Sequence, residues 1–261
     1  MRVVFLGTGT SQGVPVIGCR CAVCTSSDPR NRRMRPSLWI EFGGKHVVID
    51  TPAEFRLQAI EHGIPRLDAL LYTHAHADHV FGIDDIRRFN QMQREVIPLF
   101  ASDETLKALE RIAGYIFDRS IDGWNVPKAD PRPIHGEFNL LGARVEPLWV
   151  WHGKLKVTAF RIGGFAYVTD CSKIPGESMQ RLYGLDVLVL GALRYEPHPA
   201  HFSIGEAVEV IEKLRPKRAF LTHLCHDVDH ATAEAELPPH IRLAYDGLAL
   251  ELDDPPRLDE A

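Results

Sequence analysis

Tyr72-Thr73-His74-Ala75-His76-Ala77-Asp78-His79 places three imidazoles and a carboxylate within six positions, directly after an apolar run over 69–72 that reads as a buried strand. In extended backbone alternate side chains share a face, so His74, His76 and Asp78 would point together, whereas residues two apart on a helix point nearly away from each other. The spacing therefore predicts a loop at a strand end. Neutral imidazole and carboxylate are ligands preferred by zinc, manganese and iron, and the small Ala75 and Ala77 keep the turn uncrowded. The stretch reads as a metal-binding loop that decides what kind of fold must carry it.

Outward from this loop, short β-branched runs recur over 3–6, 38–42, 46–49, 69–72, 97–101, 144–150, 156–162, 166–169, 187–190, 219–222 and 248–252. Helical periodicity of 3.6 residues lies between them over 54–62, 83–93, 104–112, 176–183 and 203–214, the last opening with Ser203 three residues before Glu206 as a capping box. Gly43-Gly44 and Gly163-Gly164 each separate two strand-like runs, as hairpin turns do. Paired strands with interspersed helices predict layered α/β architecture. The Pro-rich stretch 127–133 reads as a loop. With no solenoid repeat and no long linker, one domain is expected over 1–252, followed by a frayed acidic tail over 253–261.

Composition narrows the class. The 261 residues hold 30 Lys and Arg against 35 Asp and Glu, a net charge of -5, which removes the global basic footprint of a polyanion coat. The longest apolar candidate, 185–193, is broken by Asp186 and Gly191, so no membrane span is expected. The first residues lack the long apolar region of a secretory signal, which predicts a cytoplasmic address. Five cysteines, three of them clustered, suit metal ligation in a reducing compartment better than disulfides.

That cluster, Cys19-Arg20-Cys21-Ala22-Val23-Cys24, supplies three thiolates and needs one more ligand to complete a tetrahedron. His226 is the candidate, three residues beyond His223, and Cys225 competes with it. A closed Cys3His site would be a structural zinc. The run Arg30-Asn31-Arg32-Arg33-Met34-Arg35 offers four guanidiniums for phosphate contact, or else a solvated loop.

With Gly82 following it, His74-x-His76-x-Asp78-His79 resembles the signature of the metallo-β-lactamase superfamily. The resemblance implies a four-layer αββα domain of the α/β class and a dinuclear centre. His74, His76 and His152 would bind one divalent ion and Asp78, His79 and His223 the second, with Asp170 bridging them. Two such ions, zinc or manganese, roughly 3.5 to 4 Å apart, lower the pKa of a bridging water and generate hydroxide for ester hydrolysis.

Gly7-Thr8-Gly9-Thr10-Ser11-Gln12-Gly13-Val14-Pro15, the cysteine loop and Leu221-Thr222-His223-Leu224-Cys225-His226 together resemble the PhnP family of cyclic phosphodiesterases over nearly the whole chain. That resemblance implies a small anionic substrate such as 5-phosphoribosyl 1,2-cyclic phosphate, and it suggests a homodimer. It makes Asp78 and His201 the candidate catalytic residues. His201, twenty-two positions before His223, would be the general acid, with His198 the alternative. Leu193-Arg194-Tyr195-Glu196 departs from the family pattern near the substrate. The rival resemblances are a tRNA 3′-end endonuclease, opposed by the cysteine loop and acidic charge, and a PqqB-like protein of cofactor biosynthesis, opposed by the complete histidine set. Neither nucleic acid nor membrane is the expected partner.

Overall fold

A computed structural model describes residues 1–118, 120–121 and 123–256. Two seven-stranded sheets form the centre. The first comprises β1 (Arg2–Gly7), β2 (Ser37–Phe42), β3 (Lys45–Ile49), β4 (Ala69–Leu71), β5 (Ile97–Ala101) and β6 (Ala129–Pro133), with β14 (Ala249–Glu251) added beside β1. The second comprises β7 (Phe138–Leu140), β8 (Ala143–His152), β9 (Leu155–Ile162), β10 (Phe165–Val168), β11 (Val187–Gly191), β12 (Arg218–Thr222) and β13 (Ile241–Leu243). Both follow one plan. Antiparallel neighbours run through β14-β1-β2-β3 and β7-β8-β9-β10, and parallel neighbours through β3-β4-β5-β6 and β10-β11-β12-β13.

Alternation along the strands explains why two sheets need helices outside them. Val3 and Phe5 meet Phe165, Tyr167, Val187 and Val189 between the sheets, whereas Val4 and Leu6 face the other way with Phe55, Ile86, Phe89 and Leu109. Those last residues belong to α1 (Phe55–Glu61), α3 (Ile86–Gln93) and α4 (Asp103–Ala113), which cover the first sheet together with the short α2 (Ala77–Val80). On the second sheet the outward set includes Val168, Leu188, Leu190 and Leu221, packed beneath α6 (Ile204–Leu214) and α7 (His230–Glu236), near α5 (Gly176–Gln180). Strands buried on both faces cannot keep a polar side, so their near-continuous apolar runs follow. The architecture is the expected four-layer αββα domain.

All eleven expected strands form, at bounds shifted by up to two residues. Correction falls on 127–133, where Ala129–Pro133 is β6 rather than loop. Its two prolines are tolerated because β6 is an edge strand paired only to β5, so half of its backbone amides face no partner. β7 and β13 have three residues each, too few to show alternation. The helix expected over 83–93 opens as a 3-10 turn, Ile83–Asp85, before α3. α7 shows little apolar periodicity and is started by Asp229, which accepts the Thr232 amide. The capping box of Ser203 and Glu206 is present.

Of the expected tail over 253–261, residues 257–261 lie outside the described residues. The Asp254 carboxylate accepts from the Met1 amine at 2.6 Å, and Pro255 is buried. No helix among the described residues is long and apolar enough to cross a membrane. Two glycines fit positions that exclude a side chain: a Cβ on Gly7 would lie 1.9 Å from the Arg35 carbonyl oxygen, and one on Gly82 would lie 2.0 Å from that of Pro52.

Candidate metal centre

Backbone leaving the carboxyl ends of strands in both sheets converges on one place, as ligand sites in parallel α/β sheets do. From the first sheet come Asp50 after β3 and His74, His76, Asp78 and His79 after β4. From the second come His152 ending β8, Asp170 after β10 and His223 directly after β12. Asp50, Asp170 and His223 have positive φ values of 62°, 48° and 62°, a left-handed bend that costs non-glycine residues energy and turns each side chain at its strand end. The expected loop holds for His74 and His76, but Asp78 and His79 lie on the first turn of α2.

Two groups result. His74, His76, His152 and Asp170 bring one ligand atom each within 4.8 Å of one another, as do Asp78, His79, Asp170 and His223. Asp170 belongs to both because its oxygens diverge. Oδ2 lies 3.6 Å from His74 Nε2 and 3.8 Å from His152 Nε2, while Oδ1 lies 3.1 Å from His223 Nε2 and 3.5 Å from His79 Nε2. Asp78 Oδ2 closes the second group at 3.5 Å from His79 and 3.7 Å from His223.

For three of the rings the far side explains the orientation, while His223 Nδ1 is buried without a hydrogen-bond partner. His79 Nδ1 donates to Asp50 at 2.7 Å, His152 Nδ1 to the Ala200 carbonyl at 2.8 Å, and His74 Nδ1 to the Thr73 hydroxyl at 3.0 Å, which in turn donates to Asp50 at 2.8 Å. With the Nδ1 proton pinned, Nε2 is left to face the group as an acceptor. Nε2 of His74, His79 and His223 is buried and without a hydrogen-bond partner. Three buried carboxylates, Asp50, Asp78 and Asp170, also need positive charge. Burial alone would push Asp170 up, but His223 and His79 hold its carboxyl well below the usual range. Burial opposes charge on His79 too, but Asp170 with Asp50 holds it well above its ordinary value, so this ring takes the positive charge that the carboxylates need until a cation supplies it and frees Nε2 as an acceptor. Unpartnered acceptors around paired carboxylates fit divalent cations.

His201, expected as the proton donor, reaches this centre on the loop after β11. Its ring lies 4.4 Å from that of His152 and stacks at 4.8 Å on His223, whereas the His198 ring lies 5.1 Å from that of His201 and accepts the Ala200 amide. Cys19, Cys21, Cys24 and His226 form a third group of ligand atoms within 4.8 Å. His226 Nδ1 is 3.4 Å from the Cys19 sulfur and 3.5 Å from that of Cys21. Backbone amides of Cys24 and Val16 donate to the sulfurs of Cys21 and Cys24. The competing Cys225 is buried and turned toward Asp227 instead.

The arginine run does not gather as a phosphate clamp. Arg30 pairs with Asp28, Arg35 with Glu54, and the buried Arg33 donates to Thr8, the Ala244 carbonyl and His230. Arg194 donates to the carbonyls of Glu196 and Pro197 within its own turn. Asp50 and Thr73 were not singled out from sequence. The signal was an acid closing the apolar run Val47-Val48-Ile49, placed like Asp170 after 167–169.

Comparison with known proteins agrees with this geometry. Residues 45–224 match the family described as the beta-lactamase superfamily domain. A solved diphosphatase from the PhnP family is 42% identical, with 97% of this chain and 98% of that one covered at a TM-score of 0.91. An octanoyltransferase of Porphyromonas gingivalis is 37% identical over 97% of this chain but 52% of its own length, so this chain spans about half of that relative. Zinc-bound PqqB from Methylobacterium extorquens covers 97% of this chain and 100% of its own at 19% identity and a TM-score of 0.75, a likeness of fold alone.

Asp50 touches no ligand atom of either group, yet it orients His79 directly and His74 through Thr73. Asp50→Asn is expected to weaken manganese binding by about 10 to 100-fold while the circular dichroism spectrum is retained. Titration calorimetry with manganese checks this, and unchanged affinity would remove the orienting role.

Proposed function

Because the chain belongs to the PhnP family of the beta-lactamase superfamily and is a metal-dependent hydrolase, we propose that it hydrolyses a small anionic phosphodiester, with 5-phosphoribosyl 1,2-cyclic phosphate the first candidate. The observation carrying this reading is Asp170, whose two oxygens each face a different imidazole pair. In this reading His74, His76 and His152 would hold one divalent ion and Asp78, His79 and His223 the other, with Asp170 shared by both groups. When bound, a pair of zinc or manganese ions supplies Lewis acidity and a nucleophile from water at neutral pH. Cys19, Cys21, Cys24 and His226 hold a structural zinc.

His201 donates the proton that the departing alkoxide needs, since its ring sits over both ligand groups. Burial, reinforced by His223, pushes this imidazole down to about 3, so it is neutral before substrate arrives. An anionic oxygen brought against it favours the charged ring, so that the imidazole can take a proton from solvent and pass it to the departing alkoxide. The Ala200 carbonyl fixes His152 and the adjacent residue is His201, so one short segment aligns a ligand and the donor. A cytoplasmic, homodimeric enzyme without membrane or nucleic-acid partners completes the reading.

A second substrate class is favoured by one finding, the diphosphatase at 42% identity. A phosphoanhydride releases phosphate, a far better leaving group than an alkoxide, and needs no proton from His201. The two classes therefore separate in the same variant.

Asp170→Ala is expected to lower turnover of the cyclic phosphate by at least about 1000-fold and to reduce bound catalytic metal, measured by phosphorus NMR and elemental analysis. Retained turnover would sink the dinuclear reading. His201→Ala should slow alkyl phosphodiesters by about 100-fold or more while sparing nitrophenyl esters and diphosphates. Equal slowing of all three would exclude proton donation. Cys21→Ser should release one zinc per chain and lower the melting temperature by several degrees, a loss that an unchanged zinc count would contradict.

A further inference from the structure

On the outer face of the first sheet, α1 and α3 border a cleft of about 570 Å3, a size typical of small-molecule sites. None of the metal-centre side chains lines it. Phe55, Ile64 and Phe89 form a buried apolar floor, while Ile60 and Met92 line the same cleft at 64% and 51% exposure. Apolar side chains left this open around one concavity mark a surface that gains by being covered.

The polar part of the lining selects what covers it. Arg56, Arg87 and Arg88 line the cleft with a single acid, Asp85. Arg87 is occupied by Asp84 at 2.6 Å and by the Asn125 carbonyl at 3.2 Å. Arg56 and Arg88 are exposed, and among the described residues neither donates a hydrogen bond nor joins an ion pair. Asp85 offsets part of this charge from beside Arg56 and leaves the cleft cationic.

We propose that the cleft binds a small amphiphilic anion, an unbranched alkyl chain ending in a carboxylate. The chain covers Phe55, Ile64 and Phe89, and the carboxylate meets the guanidiniums of Arg56 and Arg88, which match it in geometry and charge. A neutral alkane leaves these two cations unused, and an alkyl ammonium is repelled by them.

Titration calorimetry of the metal-loaded protein with decanoate, kept below its micelle concentration, tests this. Saturable binding of one decanoate per chain is expected, with none of decyltrimethylammonium. The double variant Arg56→Glu, Arg88→Glu should lose about tenfold or more in affinity with an unchanged melting temperature. Ala59→Trp, which fills the cleft from α1, should abolish binding. Absent decanoate binding, equal binding of the cationic amphiphile, or unchanged affinity in the double variant would overturn the proposal. So would a dimer in sedimentation velocity that Ile60→Asp dissolves, since a second copy would then be the occupant.

Discussion

A carboxylate almost fully withdrawn from water, with four imidazole nitrogens on its two oxygens, is the constraint around which this fold is arranged. Asp170 cannot be buried as an anion unless positive charge or directed donors surround it. The surrounding groups come from three other strand ends, two on its own sheet and one on the facing sheet. The sandwich thus has to close for the charge to be satisfied. Left-handed backbone at Asp50, Asp170 and His223 is local strain accepted at that point, and the apolar layers on either side hold it in place.

Orientation of the rings is a second level of the same problem. A histidine offers two nitrogens, and only by tying down one does the protein decide which faces inward. Asp50 does this for His79 and, through the Thr73 hydroxyl, for His74, while a main-chain carbonyl does it for His152. The main-chain partner links ligand geometry to the loop bearing His201, so displacement of that loop alters both.

Legibility from sequence followed the locality of the physics. The histidine loop was readable because four ligand-type residues fall within six positions, although α2 rather than extended spacing directs Asp78 and His79, and β-branched runs were readable because strands buried on both faces leave no polar alternation to confuse them. Asp50 was missed since its role depends on a strand pairing, β3 with β4, that sets it beside Thr73 from 23 residues away. β6 was misread because its prolines exclude a central strand, and nothing local says that this strand lies at an edge. Arg33, from a run suggestive of anion binding, instead packs inside the protein, where partners more than 190 residues distant in Ala244 and His230 receive it.

The segment from His223 to His226 belongs to two clusters at once, with Leu224 fully buried between them and tied on both sides to the Thr8–Thr10 backbone. Three peptide links leave little slack, so ordering one end of this segment orders the other. If each cluster holds an ion, occupancy of one is therefore coupled to occupancy of the other through this segment. Whatever factor one ion would contribute to retention of the other would be returned in equal measure.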